Sequence, residues 1–139
     1  MSALTSRCFL WGSSVADKSW ILIVDDDADG ALALRKLLER SGYFVMLAHT
    51  VAEARKLCDR NNFDLIICDV RLPDGNGLNL LAYLRKTCST AEGIVVSGWD
   101  QNELQESAES AGYGGHLVKP IDFAKLKETV HRLLTTRPV

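Results

Sequence analysis

Residues 20–26 read Trp20-Ile21-Leu22-Ile23-Val24-Asp25-Asp26: four large aliphatic side chains in a row, then two carboxylates. A run this short and continuous suits a strand covered on both faces, since a strand with one wet face alternates apolar and polar residues. The same passage from aliphatic run to polar ending recurs along the chain. Leu65–Cys68 leads into Asp69, Ile94–Val96 into Ser97, and Leu117–Val118 into Lys119, while Phe44–Leu47 supplies a fifth run. Helical stretches separate the runs, which is the signature of βαβ units and a parallel sheet. Parallel strands end on one rim, and ligands of open α/β sheets bind there, at the switch point of the strand order. The expected fold is α/β, a five-stranded parallel sheet of order 2-1-3-4-5 with helices on both faces.

The intervening helices carry their own signals. The first is expected from about Asp29 to Arg40, with Ala31, Leu34, Leu37 and Leu38 on one face and Gly42 as its stop. Thr50 and Glu53 form a capping box for the second. The third carries Leu80, Leu81 and Leu84 after the turn chemistry of Pro73-Asp74-Gly75-Asn76-Gly77. Asp122 is a good N-cap for the fifth, which would present Phe123, Leu126, Val130 and Leu133 to the core. The fourth, Gln101 to Ala111, has Leu104 as its large apolar anchor, helped by Ala108 and Ala111. Asp100, Glu103, Glu106 and Glu109 recur there every three residues. Like charges at that spacing repel by a few tenths of a kcal/mol per pair, so this helix should be among the least stable elements. It reads either as a solvated acidic face or as a mobile element that a partner exploits.

Composition bounds the function. A chain of 139 residues with 47% apolar and 24% charged side chains has the balance of one soluble globular domain, able to bury a core without staples. A net charge of -2 and the lack of a Lys/Arg block argue against direct nucleic-acid binding. No apolar run approaches the roughly 20 residues needed to span a bilayer, and no secretory signal opens the chain. Cys8, Cys58, Cys68 and Cys88 have no Cys-x-x-Cys spacing, which fits reduced thiols in a cytoplasmic protein. His49, His116 and His131 form no metal-ligand pattern. Residues 1–19 read as a flexible arm, a junction or an expression remnant, residues 20–135 as the domain, and residues 136–139 as a tail. Five βα units are expected to fill the domain, leaving no room for an effector.

The strand endings gather a chemistry. Asp25, Asp26 and Asp69 face one another across the crevice between strands one and three. Carboxylates so placed repel until protons or a cation relieve them. Hard oxygen donors with room for water suit Mg²⁺ (or Mn²⁺). Lys119 offers a point charge for a phosphoryl oxygen and Ser97 a hydroxyl donor. An aspartate can itself attack phosphorus to give an aspartyl phosphate.

Four strings, Ile21–Asp27, Leu65–Gly77, Val95–Gly98 and Leu117–Pro120, together resemble the response-regulator receiver domains of two-component signalling, across about residues 20–135. The resemblance implies a CheY-like, flavodoxin-like (βα)5 fold and a phosphorelay function. It implies Asp69 as the phosphoacceptor, Asp26 as a direct Mg²⁺ ligand, Asp25 as its partner through water, and the Arg71 backbone carbonyl as a further ligand. Lys119 would pair with the phosphoryl group across a cis Lys119–Pro120 bond. Ser97 would be the switch hydroxyl, with His116 standing where the family carries Tyr or Phe. His116 is expected at a strand end. Arg71 and Trp99 would overhang the site and tune phosphoryl lifetime. The implied partners are a sensor histidine kinase or a histidine phosphotransfer protein, with homodimerisation through the face of the fourth helix, fifth strand and fifth helix. Lys125, Lys127 and Arg132 would give that face positive charge beside the acidic fourth helix.

Two other classes compete. A phosphorylation-independent scaffold, or a phosphate sink, would share the fold. An aspartyl-nucleophile hydrolase would want a second Asp two residues after the first, where this chain has Arg71. No P-loop string is present.

Overall fold

The computed structural model describes residues 18–98 and 104–136. Its main sheet comprises β1 (Trp20–Val24), β2 (Phe44–Ala48), β3 (Leu65–Asp69), β4 (Glu92–Ser97) and β5 (Gly115–Val118). All neighbours pair in parallel, and the spatial order is β2-β1-β3-β4-β5. This is the expected order, counted along the main sheet. Between β3 and β4 the chain adds a two-residue antiparallel ladder, Arg71–Leu72 against Gly75–Asn76, that sequence reading did not anticipate.

The helices are α1 (Ala28–Arg40), α2 (Val51–Arg60), α3 (Leu80–Arg85), α4 (Leu104–Ser110) and α5 (Phe123–Thr136). Alternation within each strand sends its side chains to two separate cores. On one face Ile21, Ile23, Leu65, Ile67, Ile94 and Val96 pack against α1 and α5. On the other, Leu22, Val24, Ile66, Cys68 and Val95 pack against α2, α3 and Ala108 of α4. Each fully buried Leu or Ile contributes roughly 1.5–3 kcal/mol, so two such layers dominate the stability. The stripe of α1 is Ala31, Leu34 and Leu38, all buried, and Gly42 follows it at φ +100°, where L side chains are strained.

The caps explain where helices start. Thr50 Oγ1 accepts from the Glu53 amide at 3.0 Å, while Glu53 Oε1 accepts from the His49 amide at 2.7 Å, one residue before the usual reciprocal partner. Asp122 Oδ1 accepts from the amides of Ala124 and Lys125. Two expectations need correction. Phe123 is not core: it is 47% exposed. Phe123 is the first residue of α5, and the buried stripe begins a turn later, at Leu126, continuing through Val130 and Leu133. β5 begins at Gly115, so His116 sits inside the strand rather than at its end. The side chain of Leu104, and Asp100 and Glu103, lie outside the described residues; Glu106 and Glu109 are exposed, as a solvated acidic face requires.

Candidate functional site

The rim collects the predicted groups. β1 ends at Val24 and delivers Asp25, whose amide donates to the Ala48 carbonyl at 3.0 Å. Its Oδ1 accepts from the Asp27 amide at 2.9 Å, which orients the carboxylate. β3 ends in Asp69. Both side chains are largely enclosed, with Asp25 7% and Asp69 6% exposed, while Asp26 is open to solvent. One oxygen from each of Asp25, Asp26 and Asp69 lies within 4.8 Å of the others.

Lys119 reaches this cluster from the end of β5. Its Nζ lies 2.9 Å from Asp69 Oδ2 and 3.9 Å from Asp25 Oδ1. Its backbone amide donates to the Ser97 carbonyl at 2.9 Å, and the Lys119–Pro120 bond is cis. Burial pushes the Asp69 carboxyl up to about 7; the Lys119 hydrogen bond opposes the rise and Asp25 adds to it. Burial acts to lower the Lys119 ammonium, but its bond to Asp69 and the charges of Asp69, Asp25 and Asp26 outweigh that and leave it raised. The cluster is short of positive charge. Its donor set of carboxylate oxygens fits a hard divalent cation.

Ser97 closes β4 and is 3% exposed; its hydroxyl lies 2.7 Å from Nε2 of His116. Arg71 is exposed on the rim beyond Val70, and Trp99 lies outside the described residues. Lys125 and Arg132 line a groove with Glu109 and His116, but Lys127 does not. It borders a separate hollow with Ser41 and Tyr43, away from that groove.

Several supporting groups escaped sequence reading. The Cys68 thiol donates to the Asp69 carbonyl at 3.2 Å, and the Tyr113 hydroxyl donates to the Gly77 carbonyl at 2.8 Å. A Cβ at Gly77 would run into the Asp69 carbonyl and Cys68 Sγ, so only glycine lets the loop close under the aspartate. Asp74 caps α2 from a distance, accepting from the amides of Val51 at 2.7 Å and Ala52 at 3.0 Å. These two bonds hold its carboxyl below the usual range. Nothing local in the sequence marks such contacts, apart from the small residue Gly77.

Comparison with known proteins agrees with this fold. The chain is 35% identical over 116 residues to the response regulator protein PilR of Pseudomonas aeruginosa, aligning 84% of this chain and 26% of that protein. It thus spans about a quarter of the length of the curated relatives it matches. A CheY-like receiver domain protein from Methanospirillum hungatei JF-1 superposes with a TM-score of 0.78 at 30% identity, covering 85% of this chain and 94% of that one. A response regulator from Burkholderia pseudomallei, solved with a phosphorylated aspartic acid, a calcium ion and citrate, gives 0.76 at 29% identity, covering 85% and 69%. Residues 21–131 match the family model for the response regulator receiver domain, the same span that builds the sheet and its acidic rim, and the chain belongs to that family.

Proposed function

We propose that this receiver accepts a phosphoryl group on Asp69 from a phosphohistidine of a sensor histidine kinase or histidine phosphotransfer protein. The observation that carries the reading is the enclosed Asp69 carboxylate, 2.9 Å from Lys119 and beside Asp25 and Asp26. An Asp69 oxygen attacks phosphorus, the P–N bond breaks, and the imidazole leaves with the electron pair and is protonated. The product is a mixed anhydride on Asp69. Lys119, freed from the carboxylate oxygen, holds a phosphoryl oxygen instead. Asp25, Asp26, Asp69 and the Arg71 carbonyl would hold Mg²⁺ (or Mn²⁺), which supplies charge neutralisation on the transferring group.

Ser97 then serves as the switch hydroxyl, and the α4-β5-α5 face as the surface that reports phosphorylation or pairs with a second copy. The added charge of about -1.5 to -2 is enough to bias a thinly anchored helix. Hydrolysis of the anhydride by water returns the resting state, slowly and without a separate enzyme, in a cytoplasmic setting. The test is intact mass after incubation with acetyl phosphate and Mg²⁺, for the parent and Asp69→Ala. The parent gains one phosphate and the variant gains none; a gain that persists in the variant overturns the assignment.

A further inference from the structure

The Ser97–His116 contact asks more of the histidine than filling the place of an aromatic ring. The strands set His116 opposite Val95 and Ser97 opposite Val118, so the two side chains are diagonal neighbours on the sheet face that carries α4. Their side chains meet at 2.7 Å, a distance at which one group must donate and the other accept. A serine hydroxyl owns a single proton. Where Nδ1 carries the ring proton, Nε2 accepts from Ser97, and that proton is committed to the imidazole. Where Nε2 carries it, the ring donates to Oγ and the hydroxyl proton is left to point elsewhere. A phenyl ring at this position makes neither bond. The contact therefore decides whether Ser97 has a donor to offer.

We propose that His116 is a positioning residue acting through Ser97: in the phosphorylated protein Nε2–H donates to Ser97 Oγ and directs the hydroxyl proton onto the phosphoryl group. This rests on the reading of Asp69 as phosphoacceptor and of Ser97 as the hydroxyl that meets it. The arrangement links the site to the groove where His116 lies with Glu109, Lys125 and Arg132, because the ring cannot leave the strand face without releasing Ser97.

The test is a double-mutant cycle on the full chain, with phosphorylation by acetyl phosphate and Mg²⁺ followed by intact mass. His116→Phe should slow phosphorylation about fivefold in the parent and have no further effect in Ser97→Ala. His116→Gln, whose amide N–H can reach the same oxygen, should stay within about twofold of the parent. Nitrogen-15 NMR of the imidazole in the Mg²⁺–beryllofluoride state should show Nε2 protonated. Independent effects of the two substitutions, or an Nε2 without its proton in that state, would overturn the proposal. A parent that takes up no phosphate removes the Asp69 reading and this inference together. A parent phosphorylated on Asp69 with additive effects removes this inference alone.

Discussion

The two walls of the rim crevice are built to opposite specifications. The β1–β3 wall crowds carboxylates together over a floor closed by Gly77 and the Cys68 thiol, with no room for even one added carbon. The β4–β5 wall carries a hydroxyl–imidazole pair and borders α4, whose Glu106 and Glu109 face solvent. One wall concentrates like charge over a closed floor; the other pairs a hydroxyl with an imidazole beside a helix with an acidic outer face. Lys119 belongs to both, binding Asp69 with its side chain and Ser97 with its backbone.

The contrast can be broken first at its stiffest point. Gly77→Ala should cost about 3 kcal/mol, because a methyl group would meet backbone rather than a yielding side chain. Urea unfolding measures this, and a loss below about 1 kcal/mol would show that the floor gives way. Next comes the bridge between the walls. Lys119→Ala should slow phosphorylation by about a hundredfold, equivalent to roughly 2.7 kcal/mol, read as the rate of mass gain with acetyl phosphate. A rate within a few-fold of the parent would make the ion pair structural only.

The crowded charge makes a pH prediction. Between its ordinary value of 3.8 and about 7, Asp69 binds a proton in the folded chain but not in the unfolded one. The native state binds more protons there, so stability without metal falls as pH rises across that window. Asp69→Asn should flatten the slope and, above pH 7, raise stability by about 1 kcal/mol, or roughly 3–6 °C in Tm. Thermal melts in chelator at several pH values decide it; a parent-like slope in the variant would point to another group. The smallest effect expected is at the exposed lip. Arg71→Ala should shorten the phosphorylated half-life about threefold, near 0.6 kcal/mol, by opening a path for water. An unchanged decay, followed by intact mass, would leave Arg71 without that role.

The strand endings were legible because covalent order alone decides them. A polar residue that follows a buried parallel strand must emerge on the shared rim, so Asp25, Asp69, Ser97 and Lys119 could be brought together on paper. Contacts between distant residues could not. Tyr113 meets the Gly77 carbonyl across 36 positions, and Asp74 reaches α2 across 23, with no periodicity to announce either. Phe123 shows the limit of the helical stripe: spacing tells which side of a helix is apolar, not at which turn its burial begins. His116 was visible only as a departure from the family pattern. Its partner became apparent once the register between β4 and β5 was known.

Asp74 carries a practical consequence. Each of its oxygens grips a different amide of α2, so the turn downstream of Asp69 and the start of that helix form a single truss. Deuterium uptake at Val51 and Ala52 therefore reads the tension in that truss from outside the crevice. The grip on α2 is thus a gauge of that segment, read a helix away from the crevice.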